Sequence, residues 1–155
     1  MQFYNSHNFL YYPKKSTKEL FTQLLAQVKD AGVIILDKMP TNLNDYDILV
    51  DAIFGFSFEG EIKEPFKSII QQITNTKIPI VSIDIPSGWN VDKGNINHLF
   101  TPEMLISLTL PKKCAEYYSG IHYLGGRFVP NILFKKYNCE QPSYSGSDCY
   151  MRIDK

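Results

Sequence analysis

Two aspartates, each closing an apolar run and each followed by a glycine turn, are the residues of this chain best placed to do chemistry. Asp51 follows Ile48-Leu49-Val50 and opens Ala52-Ile53-Phe54-Gly55-Phe56. Asp84 follows Ile80-Val81-Ser82-Ile83 and opens Ile85-Pro86-Ser87-Gly88-Trp89. An open α/β sheet gathers polar groups in the crevice at the carboxyl ends of its strands. A carboxylate there can act as general acid or base; it can equally cap nearby backbone N–H groups. Asp51, Ser87 and loop carbonyls offer oxygen alone, a donor set for a hard cation rather than for zinc or copper.

The loop Gly55-Phe56-Ser57-Phe58-Glu59-Gly60-Glu61 lies between the first acid and a helical stripe. Two glycines permit close approach by a ligand, and a helix N-terminus suits a phosphate. Against this, Glu59, Glu61 and Glu64 can complement the helix dipole themselves. The other polar residues read as structure. His7, His98 and His122 share no ligand spacing, and Lys112-Lys113 reads as a solvated end. Tyr117, Tyr118 and Tyr123 read as packing, and Gly125-Gly126-Arg127 as a turn.

These residues need a frame, and the pattern supplies one. Phe9 to Tyr12 reads as a strand. Ser16 and Glu19 have capping-box spacing, and Leu20, Phe21, Leu24, Leu25 and Val28 recur at helical period, which predicts a helix over 17–31 stopped at Gly32. Strands are predicted over 33–36, 48–50, 78–83, 104–110 and 121–123, and helices over 62–75 and 129–137. The run 78–83 is apolar except for Ser82, as for a parallel strand covered on both faces. Residues 143–155 read as a loosely held tail. Strands alternating with helices predict βαβ units, an α/β fold with a mostly parallel sheet, and 155 residues suit one domain.

Composition excludes several classes. Lys+Arg and Asp+Glu are both 16, so no nucleic-acid partner held by bulk charge is expected. No apolar run approaches the ~20 residues that cross a bilayer, so no membrane partner is expected either. The first eight residues show neither signal-peptide nor transit-peptide character. Three scattered cysteines, Cys114, Cys139 and Cys149, without a C-x-x-C pair, fit reduced thiols rather than a zinc or redox site.

Four stretches in this order and spacing resemble the NAD(P)H-hydrate epimerase family, the YjeF N-terminal domain family, whose animal members include the apolipoprotein A-I-binding proteins. They are Val50 to Phe58, Ser82 to Trp89, Leu105 to Thr109 leading to Pro111-Lys112-Lys113, and Tyr123 to Pro130. The resemblance runs from about Leu10 to the C-terminus. It implies a Rossmann-like three-layer α/β sandwich and a homodimer. It also implies repair of hydrated nicotinamide cofactors, in which the R and S forms of NADHX and NADPHX are interconverted so that a partner dehydratase can act on one. Carried over by position, Asp84 is the catalytic and substrate-contacting residue. Gly55, Phe56, Ser57, Phe58, Glu59, Gly60 and Glu61 line the substrate's phosphates. Asp51 and Ser87 hold a potassium ion, one per subunit. The expected compartment is mitochondrial or cytoplasmic.

Family members carry about 70–80 further residues before the first strand matched here, including a Gly/Asn-rich loop that supplies substrate contacts and another potassium ligand. That run does not occur in this sequence. The sheet is therefore expected to be incomplete on its N-terminal side, with exposed edges and apolar surface. A second reading stays open beside the enzyme: a non-catalytic binding or dimerisation module for an RNA or protein partner on the same fold.

Overall fold

A computed structural model describes residues 7–154. The chain forms two compact units, one ending at Asn42 and the other beginning at Leu43.

The first unit is one βαβ element. Strand β1 (Phe9–Tyr11) and β2 (Ile34–Leu36) pair in parallel, Phe9 opposite Ile34 and Tyr11 opposite Leu36. Helix α1 (Glu19–Asp30) links them. The expected capping box does not form. The N-cap is Lys18, and the Ser16 hydroxyl accepts from the Lys18 N–H (3.2 Å). Ser16 therefore lies two residues too early to meet the backbone of Glu19. Gly32 adopts φ +78° just past the helix, a conformation open to a residue without Cβ. The amphipathic stripe of α1 stays largely in water: none of its residues is buried, and Leu20 is 62% exposed.

The second unit is built on a five-stranded sheet. Its strands are β3 (Leu49–Asp51), β4 (Ile80–Ile83), β5 (Met104–Leu108), β6 (Ile121–Gly125) and β7 (Tyr150–Arg152), in that spatial order. The first four run parallel and β7 antiparallel. This is the expected α/β fold with a mostly parallel arrangement, its strands divided between two sheets. Helix α2 (Phe66–Thr74) connects β3 to β4, and α3 (Asn131–Lys136) follows β6. The predicted start of α2 at 62 moves to 66 because Pro65 takes the N-cap and disfavours helical geometry in the residue before it. The tail predicted to be loosely held contains β7, anchored to β6 through Leu124 opposite Met151 and by Ile153 N–H donating to His122 O (2.8 Å).

Register places Asp51, Ser82, Leu105 and His122 in one row across the sheet. That face is buried: Ile80 and Ser82, Leu105 and Ser107, His122 and Leu124. The alternate residues Val81, Ile83, Met104, Ile106 and Tyr123 are only half-buried. Strand β4 is thus fully covered on one face, not on both. The core joins Ile85, Trp89, Leu105, Cys114, Ala115 and Tyr118, and the Trp89 indole N–H donates to Phe100 O (3.0 Å).

Candidate active site

The parallel strands β3, β4 and β5 end on the same side of the sheet, so the residues that follow them share one edge. From β3 comes Asp51, from β4 Asp84 and Ser87, and from β5 Lys112. Asp51 pairs in register with Ser82, two positions before Asp84, about 7 Å along a strand.

Asp51 is the most enclosed charged group there, 1% exposed. Its Oδ2 accepts from Ser82 Oγ (2.9 Å) and Ser87 N (2.8 Å). Its Oδ1 accepts from Ser87 Oγ (2.6 Å) and, more weakly, from Ile53 N (3.4 Å). Ser87 Oγ in turn accepts from Phe54 N (3.0 Å). Burial pushes the Asp51 carboxyl above its ordinary 3.8, and the hydrogen bonds from Ser87, Ser82 and Ile53 oppose that push. A buried carboxylate ordinarily needs a countercharge. No cationic side chain among the described residues makes an ion pair with Asp51. Oxygen donors around a buried carboxylate are the kind a hard cation takes, and Asp51 and Ser87 are the residues here that could hold one.

Asp84 is arranged differently. It lies just past β4 with φ +71°, a left-handed conformation that costs a non-glycine residue about 1–2 kcal/mol. Its N–H stays in the ladder, donating to Ile106 O (2.8 Å). Its Oδ2 accepts from the Phe56 N–H (3.0 Å), and its Oδ1 accepts from Lys112 Nζ. Gly55 is needed here, because a Cβ on it would lie 3.0 Å from Asp84 Oδ2. The next turn depends on glycine too. Gly88 has φ +91°, and a Cβ there would reach to 2.4 Å from Leu99 Cδ1.

The loops 51–56 and 84–88 are therefore laced together, Asp51 holding one end through Ser87 and Asp84 the other through Phe56. Beside them opens a groove of about 390 Å³, lined by Phe56, Val91, Leu108, Thr109 and Lys112 among others. Within the loop predicted to line phosphates, Gly55 and Phe58 are half-buried. Phe56, Ser57, Glu59, Gly60 and Glu61 are exposed. Phe58 stacks on Phe54 at 3.9 Å between ring centroids. Ile62 to Pro65 separate this loop from α2, and Glu64, just ahead of the N-cap, reaches into its first turn: its Oε2 accepts from Ser68 Oγ (2.7 Å) and from Ser68 N (3.4 Å). Glu64 thus takes up the dipole-complementing role that the glutamates offered.

Lys112 is the residue the sequence reading missed. Its signal was the rule that found Asp84: it follows the carboxyl end of a parallel strand. Its neighbour Lys113 behaves as expected, an exposed lysine 3.6 Å from Asp92. Arg127 faces no anion site; its Nη1 donates to Gly146 O (2.5 Å) and Asp148 O (2.8 Å), pinning the tail. His122 is buried against Ser107 (2.8 Å), and burial lowers its pKa. Among the described residues no cluster of three His, Cys, Asp or Glu side chains could hold a metal, and no helix is long and apolar enough to cross a membrane.

A parallel sheet whose carboxyl edge gathers two carboxylates, an ammonium and glycine turns defines an α/β domain with a candidate small-molecule site at that edge. Comparison with known proteins narrows this. The family model for the YjeF-related protein N-terminus matches residues 3–114. Proteins named NAD(P)H-hydrate epimerase from Dictyostelium discoideum and Puccinia graminis f. sp. tritici are 48% and 44% identical over 93% of this chain. The one from Anopheles darlingi is 43% identical over 97% of it. The crystal structure of yeast ynu0, YNL200c, superposes with a TM-score of 0.85 at 37% identity, over 94% of this chain and 65% of that one. The chain belongs to the YjeF-related N-terminal family. It spans 63% and 61% of the lengths of the Dictyostelium and Puccinia relatives.

Proposed function

We propose that the protein interconverts the R and S forms of hydrated NADH and NADPH, the activity named for its relatives from Dictyostelium, Puccinia and Anopheles. The observation that carries the reading is Asp84, held between the Phe56 amide and Lys112 beside an open groove. In the hydrated ring, C6 bears a hydroxyl and is bonded to the ring nitrogen. Proton donation to that hydroxyl releases water and leaves a planar cation stabilised by nitrogen. Water returning on the opposite face, with its proton passed back to the carboxylate, gives the other epimer. Asp84 is the group that gives and retakes that proton.

Asp51 and Ser87 would hold a potassium ion, which supplies positive charge near the substrate's pyrophosphate. The glycine-bearing loop 55–61 lies along the nucleotide. The same reading takes the working protein as a homodimer, with a dehydratase consuming one of the two epimers. The test follows the approach of separated NADHX epimers to equilibrium by chromatography. Added protein is expected to speed equilibration, and Asp84→Ala to abolish the gain. Folded wild-type protein that leaves the spontaneous rate unchanged refutes the reading.

Exposed apolar side chains favour one alternative. Phe128 is 82% and Ile132 72% exposed, beyond what a sealed enzyme surface needs. A module binding an RNA or protein partner would use such side chains and ignore both aspartates. Saturable binding of a nicotinamide dinucleotide, lost in Asp84→Ala, separates the enzyme from the module.

A further inference from the structure

The contact between Lys112 and Asp84 has the form of a built pair rather than a chance surface one. The two side chains are 17% and 16% exposed. Lys112 Nζ is tied at two points, to Asp84 Oδ1 and to Leu108 O (2.8 Å). An ammonium has three N–H groups, so two are committed to fixed acceptors at the end of β5. Thr109, just past β5, adopts φ +70°, and the Leu110 N–H donates back to Leu108 O (2.8 Å). That turn doubles the chain back, so that a lysine four residues beyond Leu108 returns to its carbonyl. On the other side, Asp84 holds its own left-handed conformation and spends its second oxygen on the Phe56 N–H. Each carboxylate oxygen thus has one donor, from a different loop. Both residues that donate to Asp84, Phe56 and Lys112, line the groove.

We propose that Lys112 is the positioning residue for Asp84. Its anchored ammonium fixes the orientation of the carboxylate beside the groove and balances its charge once the carboxyl has given up its proton, so the same group recovers a proton without reorienting. This rests on the epimerase reading. Lys112 acts through Asp84, so its removal should slow turnover while leaving substrate binding largely intact.

The experiment compares wild type, Lys112→Met and Lys112→Arg in two measurements. In epimer equilibration, Lys112→Met should lose about 100-fold in kcat with KM within about threefold, and Lys112→Arg should recover most of the loss. In two-dimensional ¹H–¹⁵N NMR, the Phe56 amide resonance should move in Lys112→Met and return toward the wild-type position in Lys112→Arg, because that amide reports the carboxylate it binds. Equal kcat in Lys112→Met and active wild type overturns the proposal and leaves the epimerase reading standing. An inactive wild type removes the epimerase reading, and the Phe56 resonance still decides whether Lys112 orients Asp84: an unmoved peak overturns it. If Lys112→Met does not fold by circular dichroism, Lys112→Gln is put through the same two measurements with the same expected outcomes.

Discussion

The buried charge of Asp51 gives a test that separates its hydrogen bonding from its role as a cation ligand. Replacing Asp51 by Ala leaves Ser87 N–H, with its 2.8 Å bond, facing no acceptor. The hydroxyls of Ser82 and Ser87 can turn elsewhere, but a backbone N–H cannot. A stranded buried donor together with the loss of charge-assisted bonds costs about 3–5 kcal/mol. Asp51→Asn is milder. With its amide nitrogen in place of Oδ1, it donates to Ser87 Oγ, so the Ser87 hydroxyl proton must turn to another acceptor and the 3.4 Å contact from Ile53 N is given up. The Ser87 N–H keeps its acceptor, so the loss is smaller than in the Ala variant, about 1–2 kcal/mol, and the buried charge disappears with it. The two variants diverge further in potassium. A ligand at 100 times its Kd stabilises the folded state by about 2.7 kcal/mol, and this gain belongs to the wild type alone. Urea melts in KCl and in choline chloride at equal ionic strength read both effects. The pH dependence has a definite sign. Because burial raises the Asp51 pKa above 3.8, its contribution to stability is fully present below that value and is lost as pH rises through the raised one. Potassium offsets only the ionised form. The KCl-minus-choline difference should therefore grow from acid to neutral pH in wild type and stay flat in Asp51→Asn. A wild type indifferent to potassium, or an Asn variant as unstable as the Ala variant, refutes the reasoning.

Three further outcomes follow from the same geometry. Gly88→Ala meets both a left-handed backbone and Leu99 at 2.4 Å; a loss of about 2–5 kcal/mol is expected in urea melts, and an unchanged midpoint would contradict the packing described. Gly55→Ala sets a methyl 3.0 Å from Asp84 Oδ2; displacing that carboxylate should cut equilibration of the epimers about tenfold or more, with a thermal midpoint lowered by only a few degrees. Cys114 is fully buried, and burial, the largest cause, pushes its thiol up to about 11. A disulfide reagent should therefore titrate only Cys139 and Cys149 in the native protein. Three fast-reacting thiols would show that the core around Cys114 opens.

How much of this was legible in the residues depends on whether the cause was local. Asp51 and Asp84 announced themselves because two acids, each ending an apolar run ahead of a glycine turn, recur in one chain, and the sheet placed both on one edge. Ser87 came with them, since Ser-Gly after a proline must turn, and the turn aims the hydroxyl and N–H at Asp51. The start of α2 was misplaced because periodicity ignores what Pro65 forbids to its predecessor. Strand β7 escaped notice because three residues carry no period; its pairing is imposed by β6 across 24 intervening residues, between Gly125 and Tyr150.

Lys112 was hidden for a more instructive reason. A Lys-Lys pair after a proline looks like a solvated end, and Lys113 is one. What separates the two neighbours is the left-handed Thr109, a β-branched residue in a conformation no propensity would assign to it. Together with the Leu110 turn, it reverses the chain so that one lysine reaches back over Leu108 O while the next points to Asp92. Two left-handed non-glycine residues, Asp84 and Thr109, thus close adjacent parallel strands, and the side chains they control meet at Asp84 Oδ1. Strain kept at two adjacent strand ends, where each serves to bring an acid and an ammonium into contact, supports the proposed proton-transfer role over that of a scaffold.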